Sequence, residues 1–210
     1  LRRQSRAMRR YVSLRKGIPF RSKSVLEVDN KKPDCGLCSA AQRICIFAMI
    51  CNLCPRRCGA DRSTPQGLKR SICRATDDVE IALVSLHAWE EPILESGNGA
   101  GTVFFSHCNL RCCFCQNYEI SAGGKGLKVT TARLTDIFLE EAERGASCIE
   151  LVTPGHYTRQ IREALLSAKA QGLKLPVVYN SNAYELPETL RMLDGLVDIF
   201  LPDLKYFDSR

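Results

Sequence analysis

The chain is 210 residues long, enough for one sizeable core or for a medium domain with a small appended module, and two large domains are excluded. Its net charge of +7 resides in the first 24 residues, which carry nine Lys and Arg and no acid, leaving 21 basic against 23 acidic residues elsewhere. A near-neutral body exerts no pull on a phosphate backbone, so nucleic-acid binding is not expected, and no apolar run approaches the roughly 20 residues of a membrane span.

Residues 1–30 read as a basic, disordered leader. Its Arg- and Ser-rich composition is also that of an organelle transit peptide, so cytoplasmic residence is expected with organelle targeting left open. Residues 31–76 form a loop-rich cysteine module. It carries Cys35 and Cys38, then Cys51-Asn-Leu-Cys54-Pro-Arg-Arg-Cys58, and finally Cys73.

From residue 79 the texture changes. The β-branched run Val79 to Leu86 predicts a strand, and a glycine-rich turn at residues 96–101 leads into a short buried strand, Thr102 to Phe105. Leu134, Ile137, Phe138 and Ala142 recur at helical spacing, with Gly145 placed to stop that helix. A strand follows at Cys148 to Thr153. A second helix, Thr158 to Ala170, buries Ile161, Ala164, Leu165 and Ala168, and feeds the strand Val177 to Asn180. A short helix after Pro187 precedes a last strand, Val197 to Leu201. The order β-α-β-α-β-α-β requires a parallel sheet with right-handed crossovers, an α/β fold over residues 79–210.

Twelve cysteines without a hydrophobic secretory signal favour metal ligation over disulfides. They form two clusters, with only Cys148 outside. Cys51, Cys54, Cys58 and Cys73 suffice for either a structural zinc ion or a second iron–sulfur cluster, and spacing does not separate the two. Cys35 and Cys38 read as a redox pair, extra ligands or bystanders, whereas Cys45 and Cys148 read as small buried hydrophobes.

The second cluster, Ser106-His107-Cys108-Asn-Leu-Arg-Cys112-Cys113-Phe114-Cys115, sets three thiols at C-x3-C-x2-C directly after a predicted strand. In parallel α/β folds the loops at the carboxyl ends of strands carry the active site. A structural zinc site needs a fourth ligand. Cys113 adjoins Cys112 and is expected to point elsewhere, and His107 and Cys148 are candidates, neither of them forced. Three thiolates on a cubane, by contrast, leave one iron open to a small molecule.

Cys108, Cys112 and Cys115, with the aromatic Phe114 just before the third thiol, resemble the signature of the radical S-adenosylmethionine (SAM) superfamily. His87-Ala-Trp-Glu-Glu-Pro92, Gly101-Thr-Val-Phe-Phe-Ser106, Cys115-Gln-Asn-Tyr118 and Leu201-Pro-Asp-Leu-Lys205 resemble its pyruvate formate-lyase activating enzyme-like branch. The Cys51 to Cys58 segment is similar to an N-terminal extension of some members. The resemblance implies a 4Fe-4S cluster on the three loop cysteines, with SAM chelated to the unique iron and cleaved reductively to a 5′-deoxyadenosyl radical. By position it sets Phe114 near the adenine, and Thr153, Asn180, Ser181, Asp203 and Lys205 around the rest of SAM. It further implies a flavodoxin- or ferredoxin-type electron donor and a protein or peptide substrate, as in glycyl-radical activation.

Barrels of this type are built from about six parallel βα units, so four strands imply a partial (βα) barrel, truncated, with an unpaired apolar edge and a cleft open on one side. The competing expectation is a non-catalytic iron–sulfur or zinc protein on a degenerate barrel. Glu90 and Glu91 are adjacent on one extended chain and point apart, which argues against paired acid–base work. His156 reads either as a hydrogen-bond donor to the site or as a satisfied structural histidine.

Overall fold

A computed structural model describes residues 50–88 and 98–205. The basic leader, Cys35, Cys38, Cys45, Glu90, Glu91 and most of the His87 to Pro92 motif lie outside the described residues. Residues 50–76 of the cysteine segment belong to one compact unit with the sheet.

The cysteine segment opens with a two-residue antiparallel pair, β1 (Ile50–Cys51) and β2 (Ala60–Asp61), followed by helix α1 (Pro65–Arg70). Helix α1 begins as its sequence dictates: Thr64 accepts from the Gly67 amide at 3.1 Å and Pro65 occupies the first turn.

The main sheet has six strands: β3 (Val79–His87), β4 (Ala100–Phe105), β5 (Leu127–Val129), β6 (Ile149–Val152), β7 (Val177–Ser181) and β8 (Ile199–Pro202), in the order β5-β3-β4-β6-β7-β8. Strands β4, β6, β7 and β8 are parallel, as the alternation of elements required, whereas on the other side of β4 the strand β3 pairs antiparallel with β4 and β5 pairs antiparallel with β3. The architecture is mixed α/β around a largely parallel sheet. The small helix α2 (Tyr118–Ser121) links the C-x3-C loop to β5.

Helices α3 (Thr131–Glu143) and α4 (Thr158–Ala170) cross between parallel strands. Thr130 caps α3 by accepting from the Arg133 amide, and Gly145, at φ +82°, ends its exit turn. Both helices bury the predicted faces. Leu134, Phe138, Ile161, Ala164, Leu165 and Ala168 are fully enclosed against Val103, Phe105, Ile149, Leu151, Val177 and Tyr179. Each large aliphatic side chain so buried contributes about 1.5–3 kcal/mol. Gly101 lets α3 approach β4: a Cβ there would stand 2.9 Å from Glu141 Cβ and 3.1 Å from Ala146 Cβ.

Two element ends differ from expectation. The last strand starts at Ile199 instead of Val197, because Asp198 uses its carboxylate and its amide to bond both backbone groups of Val177 (2.8 and 2.9 Å). The helix after Pro187 is a single turn, α5 (Pro187–Leu190), continued as a 3-10 turn, Arg191–Leu193. Among the described residues β8 is an edge strand, with Phe200 46% exposed.

The face of the parallel strands turned away from α3 and α4 is different in kind. Ala100, Cys148 and Val178 form a small apolar cluster flanked by Ile199 and Leu201. Beside it runs a polar row. Thr102 Oγ1 donates to Glu150 Oε2 at 2.9 Å, Asn180 Nδ2 donates to Glu150 Oε1 at 2.8 Å, and Glu150 is fully buried.

Candidate functional site

Every residue expected at the site in the described region lies at the carboxyl edge of the parallel strands. The loop bearing Cys108, Cys112 and Cys115 leaves β4, Thr153 follows β6, Asn180 and Ser181 end β7, and Asp203 and Lys205 follow β8. Backbone bonds hold these ends in line: the Thr153 amide donates to Asn180 O at 2.8 Å and the Asp203 amide to Ser181 O at 2.9 Å.

Cys108 is buried and its sulfur receives two N–H groups, the Leu110 amide at 3.4 Å and Asn182 Nδ2 at 3.3 Å. Such donors suit a thiolate ligand. Cys112 and Cys115 close a turn, Cys115 N to Cys112 O at 3.2 Å, and Cys115 Sγ lies 3.1 Å from Ser121 Oγ. Cys113 is exposed, and Phe114 is 61% exposed on the same turn. His107 is engaged elsewhere, pairing with Glu80 at 3.1 Å, and Cys148 sits in the small apolar cluster, so neither joins the loop thiols.

Thr153 adopts φ +55°, a left-handed conformation rare for a β-branched residue and costing on the order of 1–3 kcal/mol. Ser181 Oγ donates to Glu185 Oε2 at 3.3 Å and accepts from the Ala183 amide at 3.1 Å. Burial pushes the Glu185 carboxyl above its ordinary range. Asp203 and Lys205 pair with each other at the exposed rim.

Six non-glycine residues among those described have positive φ: Arg57, Arg74, His107, Arg111, Thr153 and Ala183. His107 and Arg111 flank the loop thiols, Thr153 and Ala183 follow β6 and β7, and Arg57 and Arg74 adjoin Cys58 and Cys73. Backbone strain thus collects around the two cysteine groups and the strand ends between them.

Cys51, Cys54, Cys58 and Cys73 line one small recess together with Arg56, Asn109 and His156. Burial raises the Cys54 thiol pKa, opposed by bonds from the Arg56 backbone and the Asn109 side chain, and the neighbouring thiols of Cys51 and Cys73 raise it further. All nine described cysteines are free thiols. Among the described residues no three Cys, His, Asp or Glu side chains stand converged in a ready-made metal site, at either group. The donor chemistry nevertheless fits in both: three thiols on a strand-end loop with N–H groups directed at sulfur, and four thiols on one recess.

Four site neighbours escaped the sequence reading. Asn182 bridges Cys108 Sγ and Asn109 Oδ1, the latter at 2.8 Å. Asn109 is buried and donates to Tyr184 O at 2.9 Å. Glu150 anchors Asn180. Arg62, buried to 3% exposure, donates to the carbonyls of Ala75, Thr76 and His156 and lies over the Tyr157 ring, 5.2 Å from its centroid. The sequence around these residues carries no motif, so only their partners reveal them.

His156 settles as a structural histidine. Its buried Nε2 donates to Ser106 O at 2.7 Å, which supports the start of the C-x3-C loop. Burial first, then the Arg62 charge, lowers its pKa to about 3, so the ring is neutral in the folded protein.

No protein-family model and no solved structure matches the chain. It is 28% identical over 163 residues to the uncharacterized protein MJ0674 of Methanocaldococcus jannaschii, across 74% of this chain and 45% of that protein. The chain therefore spans less than half the length of this curated relative. Among the described residues no helix is long and apolar enough to cross a membrane.

Proposed function

We propose that the chain is a radical SAM enzyme of the activating-enzyme type, holding a 4Fe-4S cluster on Cys108, Cys112 and Cys115 and acting on a protein or peptide in the cytoplasm. Its electron donor on this reading is a flavodoxin- or ferredoxin-type protein. The observation that carries the reading is the alignment of the three loop thiols with Thr153, Asn180, Ser181, Asp203 and Lys205 along the carboxyl edge of four adjacent parallel strands.

The sheet is read as part of a (βα) barrel. Strands β4, β6, β7 and β8 add in one direction and both long crossover helices pack on one face. A doubly wound fold reverses direction and covers both faces. The opposite face, with Glu150, Thr102 and Asn180, is then the barrel interior.

When bound, the cluster and SAM supply one-electron chemistry that ends in hydrogen abstraction from substrate. The chain's own residues hold and orient. Asn182 and the Leu110 amide direct N–H groups at Cys108 Sγ and orient it, and Phe114 offers an exposed flat ring to an adenine. Thr153 exposes backbone in a strained turn, while Glu150 fixes Asn180 so that its backbone carbonyl stays bonded to Thr153.

The test is electron paramagnetic resonance on anaerobically reconstituted, dithionite-reduced protein with and without SAM. A reduced cluster signal that changes on adding SAM and vanishes in Cys112→Ala is expected, with 5′-deoxyadenosine as product. A second reading is a non-catalytic iron–sulfur or zinc protein, in keeping with the further four thiols that line one recess. A cluster indifferent to SAM, or zinc at these three cysteines, would decide for it.

A further inference from the structure

We propose that Cys51, Cys54, Cys58 and Cys73 hold a single structural zinc ion that braces the C-x3-C loop from behind.

The size of the recess argues for one ion. Its volume is about 10 Å³, close to that of one water-sized sphere, which suits a lone cation better than an eight-atom cubane. Four thiols drawn from two segments, Cys51 to Cys58 and Cys73, match the closed tetrathiolate donor set of structural zinc. Binding converts four thiols into thiolates and releases their protons, so the filled site carries an excess of two negative charges.

The surroundings suit that charge. Arg62 Nη1 lies 4.0 Å from Cys51 Sγ, and its guanidinium is buried among carbonyl acceptors. The Arg56 backbone and the Asn109 side chain bond Cys54, and Ser71 Oγ stands 3.1 Å from Cys73 Sγ. These are the outer contacts that orient metal-bound sulfur.

The bracing follows from the same residues. Arg56 donates to Asn109 O at 3.1 Å and to Leu110 O at 3.4 Å, and Arg111 returns a bond to Ile72 O at 3.2 Å. A cation that ties the segment around Cys54 to Cys73 therefore fixes the backbone on which Cys108 and Cys112 are mounted. The zinc assignment does not depend on the SAM reading, because the two use different cysteines.

Metal analysis of the full chain carrying Cys108→Ala, Cys112→Ala and Cys115→Ala separates the two sites. About one zinc per chain is expected after exhaustive dialysis, falling at least about ten-fold when Cys54→Ala is added. Cys113→Ala should change nothing. A metal-free protein, or iron and sulfide at this site, would overturn the proposal. Should Cys54→Ala prove insoluble, Cys58→His in the otherwise native chain serves instead, since it keeps a ligand but exchanges sulfur for nitrogen. Its cobalt-substituted form should show weaker sulfur-to-cobalt charge transfer than the parent; an unchanged spectrum would exclude Cys58 as a ligand.

Discussion

Asn182 Nδ2 stands 3.3 Å from Cys108 Sγ and 2.8 Å from Asn109 Oδ1, so one side-chain amide ties the loop after β7 to the first thiol of the C-x3-C loop. Asn109 in turn lines the recess of the other cysteine group. The two groups are thus linked through two asparagines, neither of which belongs to a cysteine motif.

Asn182→Ala removes an N–H donor from Cys108, together with the bond to buried Asn109 Oδ1 and the acceptor of the Tyr184 amide. Loss of such an outer contact lowers metal affinity or activity by about 10- to 100-fold. The expected result is slower 5′-deoxyadenosine formation and weaker iron retention, with a stability loss of about 1–3 kcal/mol from the unpaired Asn109 oxygen. Unchanged iron retention and turnover would show that the contact is incidental.

Glu150→Ala strands the buried Thr102 hydroxyl and the half-buried Asn180 amide. A loss of about 1–3 kcal/mol in urea unfolding is expected for each group left unpaired. Because Asn180 then loses its anchor, SAM affinity measured by calorimetry should fall as well. Glu150→Gln, which keeps one acceptor oxygen, should recover part of both.

Arg62→Ala removes a buried guanidinium that satisfies three backbone carbonyls and stacks on Tyr157. Breaking a network of this kind costs about 3–5 kcal/mol. Arg62→Lys should recover less than half of that, because a point ammonium cannot reproduce the planar fork. Urea midpoints of the two variants test this; equal stability of Lys and Arg at position 62 would count against it.

The depressed pKa of His156 sets a pH dependence. An unfolded chain takes up a proton near pH 6.5, whereas the folded ring refuses it down to about 3. The stability contributed by the neutral ring is therefore fully present above pH 6.5 and lost as pH falls towards 3, at up to about 1.4 kcal/mol per pH unit. His156→Gln should flatten this part of the profile. Parallel profiles for the parent and the variant between pH 7 and pH 4 would refute the assignment.

The helices were legible because their apolar residues recur at helical spacing and Gly145 stands where the first of them stops. The range Thr158–Ala170 agrees with the structure at both ends. The loop cysteines were legible because ligands close in sequence reveal themselves by spacing. The antiparallel pairing of β3 and β5 was not, since β5 has three residues, Leu127 to Val129, too few for any periodicity to register. Nor could spacing say that Cys73 shares a recess with Cys51, Cys54 and Cys58.

By itself the sequence determined the element types, the parallel progression from β4 to β8, and the thiols available for metal, because each follows from local periodicity or from ligands a few residues apart. Tertiary structure alone decided which polar side chains serve the site. Asn109, Asn182, Glu150 and Arg62 look like common turn, strand and surface residues along the chain. Their roles come from partners 13 to 94 residues away, and a hydrogen bond between distant residues leaves no period in sequence.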